Sequence, residues 1–95
     1  MNNKYDNLSV FWCNSIYYMQ LSELVEKYQG RVHVIDTGQS EHKQSMLMVL
    51  EFAEPKRSTF FELKYAEHFR FENLESPEFD WFDDYWENRR NQDVQ

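Results

Sequence analysis

The stretch SMLMVLEF, residues Ser45–Phe52, has the length of a strand and carries six apolar side chains in eight positions. An apolar run of this length without polar alternation is typical of a strand whose two faces are both buried. It is also too short to be a buried helix of ordinary length. We therefore expect it to be the central strand of a sheet, with other elements covering both of its sides.

A second strand and a turn are predicted immediately before this run. Residues Arg31–Asp36, RVHVID, are rich in β-branched side chains and read as a short strand. Residues Thr37–Gln44, TGQSEHKQ, are polar and contain Gly38, which is typical of a turn. The two strands should therefore pair as antiparallel neighbours.

Further towards the N-terminus, apolar side chains recur at helical spacing and predict a helix that ends at about Gln29. Gly30 stands where a helix C-cap is expected, while either Ser15 or Ser22 could be the N-cap, so the start stays open. The apolar positions are Tyr17, Leu21, Leu24, Val25 and Tyr28. Before the helix we predict a strand over about Ser9–Cys13.

After the central run, Glu54–Arg57 is predicted to be a hairpin turn because it contains a proline among charged residues. Residues Thr59–Glu72 alternate apolar and polar side chains, which predicts another strand with a bulge near Ala66. The elements then follow in the order β-α-β-β-β-α. We expect an α+β fold with a small antiparallel sheet of three to four strands and two helices on one face.

The last predicted helix extends from Pro77 to about Arg90, with Ser76 as its N-cap and Pro77 at its first position. At 100° per residue, the aromatic side chains fall on one arc and the acids on another. The aromatic residues are Phe79, Trp81, Phe82, Tyr85 and Trp86. The helix is therefore expected to pack through its rings and to turn its carboxylates towards water.

Charge is concentrated around this helix. Residues 71–88, FENLESPEFDWFDDYWEN, are called the acidic segment here; they hold seven acids and no base, in a chain of net charge −7. With a pI near 4.8, the chain should be repelled by nucleic acids and by anionic membranes, and should prefer basic partners. Its 95 residues, 41% of them hydrophobic, predict one domain over 1–95 with frayed ends at 1–7 and 91–95.

The residue patterns of the common enzyme classes are missing from this sequence. The three histidines, His33, His42 and His68, are far apart and none has a His or Cys at metal-ligand spacing. The two glycines do not form a phosphate-binding loop, and no nucleophile motif occurs. We therefore expect no enzymatic activity, no cofactor and no metal site.

The cellular location is predicted to be the cytoplasm. No run of about 18 apolar residues occurs, and the N-terminus lacks the pattern of a signal peptide. The single cysteine, Cys13, cannot form an internal disulfide and is interpreted as a small buried hydrophobic residue.

Two interpretations of the acidic segment remain open. It could be a solvated face that keeps a small protein soluble. It could also be a partner-binding surface, because its charges are concentrated and because Asp80/Asp84 and Asp83/Glu87 would be unfavourable like-charged pairs one helical turn apart. The candidate partner-binding residues are Glu72, Glu75, Glu78, Asp80, Trp81, Asp83, Asp84, Tyr85 and Glu87.

In its size, its pI and its helix carrying FDWFDDYWE, the chain resembles the small acidic DNA-mimic inhibitors that bacteriophages make against host DNA-binding proteins. The resemblance implies a bacterial host cytoplasm and a basic target: a nucleoid protein, a polymerase, a nuclease or a defence complex. Its carboxylates would then take the Arg and Lys side chains that hold phosphates, and a homodimer would double their number. The alternatives are an immunity or antitoxin protein against a basic toxin, and a small adaptor subunit that docks through its aromatic C-terminal helix.

Overall fold

The computed structural model describes residues 5–35 and 45–93, without the side chains of residues 45 and 90–93. The strands are β1 (Leu8–Asn14), β2 (Gly30–Ile35) and β3 (Ser45–Phe52). The α-helices are α1 (Tyr18–Glu26), α2 (Pro55–Lys64) and α3 (Phe82–Asp93), and short 3₁₀ turns occupy Ser15–Tyr17 and Pro77–Phe79. Outside the described residues lie 1–4, 36–44 and 94–95. These include the turn predicted over 37–44 and Asp36, the last residue of the strand predicted before it.

The three strands form one antiparallel sheet in the order β1-β3-β2. Val49 of β3 pairs with Val10 of β1, and Leu50 pairs with Val32 of β2. The side chains of β3 from Leu47 to Leu50 are 0% exposed. The prediction that Ser45–Phe52 is a central strand covered on both sides is confirmed.

Helices cover both faces of this sheet, whereas the sequence analysis placed them on one face. Leu47 and Val49 pack in one cluster with Phe82 and Trp86 of α3. Met48 and Leu50 pack in a second cluster with residues of α1 and α2, among them Leu21, Val25 and Phe61. Because β3 is apolar on both sides, neither of its faces can be left to water, and a layer of helices is needed on each.

The first helix begins with a 3₁₀ turn capped by Asn14, whose Oδ1 accepts a hydrogen bond from the Ile16 N–H at 3.0 Å. Neither of the two serines considered as caps has this role. At the other end α1 stops at Glu26, and Gln29, not Gly30, adopts a positive φ of 61°. Gly30 is needed for a different reason: a Cβ atom there would lie 2.7 Å from Val25 Cγ1 and 2.8 Å from Phe52 Cδ1.

The strand predicted over Thr59–Glu72 is wrong, and so is the hairpin turn before it. Pro55 takes the first position of α2, where its missing N–H has no consequence, and Phe61 is 0% exposed. After α2 the chain turns and reaches the sheet only at Glu72, whose N–H donates to the carbonyl of Val10 at 2.7 Å. The fourth strand is thus reduced to an isolated bridge at the edge of β1.

The C-terminal helix begins later than predicted. Pro77–Phe79 forms a 3₁₀ turn, and α3 begins at Phe82 and continues beyond Arg90 to Asp93. Ser76 precedes the 3₁₀ turn, but its side chain makes no capping hydrogen bond; its carbonyl accepts the Phe79 N–H at 2.9 Å. The fold is α+β with a small antiparallel sheet of three strands, as predicted. Its helices and strands follow in the order β-α-β-β-α-α, whereas the predicted order was β-α-β-β-β-α.

Candidate functional site

Three aromatic rings attach the acidic segment to the sheet. Phe79, Phe82 and Trp86 are exposed by only 4%, 1% and 4%. The rings of Phe82 and Trp86, one helical turn apart in α3, stack with their centroids 5.5 Å apart and their planes at 15°. Large buried rings contribute strongly to packing, so they hold α3 in one orientation.

Trp86 also contacts the edge strand β2. Its ring meets that of His33 edge to face at 5.0 Å, and His33 Nε2 lies 3.0 Å from Glu51 Oε1 on the neighbouring strand β3. The side chains of His33 and Glu51 are 14% and 32% exposed. Glu51, His33 and Trp86 therefore contact one another in series, and these contacts help to hold α3 against the sheet.

Most carboxylates of the acidic segment point to water, as the sequence analysis expected. Glu72 is half-buried, and the other six are exposed: Glu75, Glu78, Asp80, Asp83, Asp84 and Glu87. Asp80, however, follows the 3₁₀ turn and lies outside α3, so Asp80 and Asp84 are not a like-charged pair on one helix. Of the two predicted pairs, only Asp83/Glu87 is helical.

Part of this charge has a local structural explanation. Asp83 and Asp84 lie in the first turn of α3. The partial positive charge of the helix N-terminus stabilises carboxylates there, by about 0.3–1 kcal/mol each at exposed positions. The dipole does not account for Glu75, Glu78 and Asp80, which precede the helix.

Within the described part of the chain, basic neighbours do not neutralise three exposed acids that precede α3 and one in its first turn. Among the described residues, no basic side chain lies within 4.0 Å of the carboxylates of Glu75, Glu78, Asp80 or Asp84. Asp83 differs, because its Oδ1 accepts a hydrogen bond from the hydroxyl of Tyr5. The field of the four unpaired acids is therefore directed at the solvent.

Trp81 and Tyr85 lie beside these acids and are partly accessible. Trp81 is half-buried and its Nε1–H donates to the Glu78 carbonyl at 3.0 Å. Tyr85 is 38% exposed, its ring meets that of Trp81 edge to face at 6.0 Å, and Arg89 Nη1 is 3.5 Å from its hydroxyl. Tyr85, one of the candidate partner-binding residues, thus offers exposed aromatic surface beside the acids.

An acid-lined cavity of about 400 Å³ extends the charged surface away from α3. Asp6, Glu62 and Glu72 are among the residues that line it, and so is Tyr5, whose ring packs on Phe82 at 5.2 Å. Because Tyr5 also bonds Asp83, the cavity and the acidic segment are continuous.

One wall of this cavity is held by a buried hydroxyl pair. The Oγ atoms of Ser9 and Ser58 are hydrogen-bonded at 2.6 Å, and both lie within hydrogen-bond distance of Glu62 Oε2, Ser9 at 2.8 Å and Ser58 at 3.3 Å. Ser9 and Ser58 are 2% and 1% exposed. These contacts fix the position of the Glu62 carboxylate, because hydrogen bonds to a charged acceptor are stronger than those between neutral groups.

Tyr5 and Asp6 belong to this surface, although neither was predicted to be part of it. Tyr5 and Asp83 are 78 positions apart, and nothing in the local pattern of either residue signals the contact. Residues 5–7 also form a turn, in which the Leu8 N–H donates to the Tyr5 carbonyl at 3.0 Å. This turn brings the N-terminal residues beside α3.

Other kinds of site find little support in the described part of the chain. No three His, Cys, Asp or Glu residues within 5–35 and 45–93 are placed to hold a metal ion. None of the helices described is both long and apolar enough to cross a membrane. Burial raises the pKa of Cys13 above its ordinary value, which makes this thiol a poor nucleophile at neutral pH.

Comparison of the chain with known proteins found no relative. The chain matches no protein-family model, and no curated protein or solved structure is significantly similar to it. The site is therefore interpreted from its own residues.

Proposed function

We propose that this chain is a non-enzymatic acidic inhibitor that occupies the DNA-binding surface of a basic protein, in the manner of phage DNA mimics. One observation carries the proposal: a set of exposed carboxylates, four of them without a described basic neighbour, sits on a segment whose rings are fixed in the core. A face needed only for solubility would not require that anchoring. Most protein surfaces also mix both signs of charge, whereas the acidic segment carries only one.

The mechanism is competitive occupancy. Glu75, Glu78, Asp80 and Asp84 would take the Lys and Arg side chains that otherwise bind phosphates, while Tyr85 supplies contact area. Within α3, Asp84 and Glu87 are spaced about 4.5 Å along the axis at a rise of 1.5 Å per residue. Duplex DNA presents roughly one charge per 1.7 Å, so this row is sparser than DNA.

The acid-lined cavity supplies further charge beside this row. Asp6 and Glu62 add two carboxylates next to the segment, joined to it through Tyr5, and Glu72 of the segment itself also lines the cavity. Because Ser9 and Ser58 hold Glu62 and because the rings hold α3, the charges are ordered before a partner arrives. Preorganised groups lose less conformational entropy on binding, which favours the complex.

The adaptor alternative is less compatible with the packing. An adaptor that docks through the aromatic rings of α3 would need Trp86, and Trp86 is 4% exposed and packed in the chain's own core. The immunity or antitoxin alternative uses the same carboxylates as the DNA mimic. It differs in predicting one cognate toxin instead of several DNA-binding partners.

The test is displacement of a fluorescent 20-base-pair DNA duplex from purified basic proteins, measured by anisotropy. A nucleoid protein, a polymerase and a non-specific nuclease would form the panel. We expect the chain to displace DNA from at least two of them, with an affinity that falls at least tenfold as salt rises from about 50 to 200 mM, because the contacts are ionic. Displacement from the nuclease alone, with DNA retained by the other two proteins, would support the immunity alternative.

A pair of charge-matched variants separates a local surface from net charge. The first carries Glu78→Gln, Asp80→Asn and Asp84→Asn, which are exposed and lie in the acidic segment. The second carries Glu23→Gln, Glu26→Gln and Glu67→Gln, which are exposed elsewhere. We expect the first variant to lose displacement and the second to keep it, with circular dichroism unchanged in both. Equal losses, or retention in both, would remove the proposal.

A further inference from the structure

A second cavity, of about 440 Å³, opens at the end of β1 and has a different character from the acid-lined one. Its walls include the rings of Trp12, Tyr17 and Phe69 and the side chain of Leu21. None of the described residues that line it is acidic, although the chain carries a net charge of −7. Its volume falls in the usual range for small-molecule sites, about 300–1,000 Å³.

The wall formed by Phe69 is firmly supported. Its ring stacks on Phe11 with the centroids 4.4 Å apart and the planes at 21°, and Phe11 is 1% exposed. Three residues later, Glu72 bonds the carbonyl of Val10 and fixes the passing chain to the edge of β1. The cavity is therefore formed before any ligand is bound.

The mouth of the cavity exposes aromatic and apolar surface. Trp12 and Tyr17, which line the cavity, are 38% and 49% exposed. Large apolar side chains gathered at one place on a small protein mark a binding surface more often than single exposed ones do. Flat rings in particular favour stacking with a flat ligand.

Two basic residues give the cavity its charge preference. His68 and Arg70 line it and are exposed. Among the described residues, no carboxylate lies within 4.0 Å of the Arg70 guanidinium. A guanidinium binds carboxylate or phosphate oxygens through paired N–H donors, so an unpaired arginine beside aromatic walls suits an anionic group on an aromatic ligand.

We propose that this cavity binds a small planar aromatic molecule that carries one carboxylate or phosphate group. The ring would lie between Trp12, Tyr17 and Phe69, and the anionic group would bond Arg70, with His68 beside it. None of the described lining residues is acidic, so the chain's negative charge is not concentrated in this cavity. This site is independent of the acidic segment and of the function proposed for it.

The test is a nitrogen-15 NMR titration of the whole chain with three naphthalene probes: 2-naphthoate, 2-naphthyl phosphate and the neutral 2-naphthamide. We expect saturable shifts at the Trp12 indole, Tyr17 and Phe69 with at least one of the two anions. The neutral amide should bind about tenfold more weakly, because hydrogen bonds to charged groups are among the strong ones. Comparison of the two anions tells which group the site prefers.

The variant Arg70→Gln, at an exposed position, should weaken the preferred anion about tenfold and leave the amide unchanged. The control is Arg89→Gln on α3, which should change neither. In the titration, the proposal is overturned if the shifts saturate with none of the probes, if the amide binds as tightly as both anions, or if the shifts centre on other rings, such as Tyr85. It is also overturned if Arg70→Gln weakens binding of the amide and of the anion equally.

Discussion

Replacement of Trp86 by alanine tests the attachment of the acidic segment to the sheet. The side chain is 4% exposed, stacks on Phe82 and meets His33 edge to face, so its removal leaves a cavity between α3 and the sheet. Replacing a buried Trp or Phe by alanine typically costs about 3–5 kcal/mol. We expect Trp86→Ala to lose that much free energy of unfolding.

The loss is large compared with the stability of a small domain, which is usually about 5–15 kcal/mol. If the urea m-value is near 1.5 kcal/mol/M, the unfolding midpoint should fall by roughly 2–3 M. Urea titrations followed by far-ultraviolet circular dichroism measure this shift. Should Trp86→Ala fail to fold, Trp86→Phe keeps most of the apolar area and is expected to lose about 1–3 kcal/mol.

Tyr85 provides the matched control because it is the neighbouring residue and is 38% exposed. The variant Tyr85→Ala should lose less than about 1 kcal/mol, as is usual for surface substitutions. If both Trp86 variants were no less stable than Tyr85→Ala, α3 would not be anchored by its rings. The rings would then not hold the carboxylates of the acidic segment in place before a partner binds.

Three further predictions concern the rest of the fold. The variant Gly30→Ala should lose about 1–3 kcal/mol in urea unfolding, because its new methyl group would meet buried Val25 and Phe52; an unchanged midpoint would contradict that packing. The variant Asn14→Ala removes the cap before α1 and should lose about 1 kcal/mol by the same assay, whereas no loss would mean that the cap is dispensable. Cys13 should react with iodoacetamide more slowly than a free cysteine at pH 7.5 and speed up only at more alkaline pH, since burial raises its pKa and lowers its thiolate fraction; a rate equal to that of free cysteine would refute this.

The central strand and the first helix could be predicted because a single local pattern determined each of them. The run Ser45–Phe52 is apolar on both faces, and its bounds match those observed. The same pattern implies a covering layer on each side of the sheet. Both helices were nevertheless predicted on one face, because the pattern of a strand does not indicate which helix covers which of its sides.

The second helix was mistaken for a strand because two periodicities coincide there. Phe61, Leu63 and Tyr65 alternate with charged residues, as on a half-buried strand. In the structure only part of that alternation is used: Phe61 is buried, while Leu63 is 76% exposed. The spacing of Ser58 and Phe61, with Pro55 at the start, was the helical signal.

The acidic surface was only partly visible from the sequence. Its carboxylates are contiguous in the chain, so their concentration could be read directly. Their extension into a cavity depends on Glu62 from α2 and Asp6 from the N-terminal turn. These residues meet only through tertiary packing, which no local pattern of charge reveals.

The division of the interior into two clusters has a consequence for motion. Alternate side chains of β3 belong to different clusters, so the layer under α3 and the layer under α1 and α2 lie on opposite faces of the sheet. A structure divided in this way can open on one side while the other stays closed. The amides of α3 should then exchange with deuterium by local opening, sooner than those of β3, and a partner that grips the acidic segment should slow the exchange of α3 far more than that of α1.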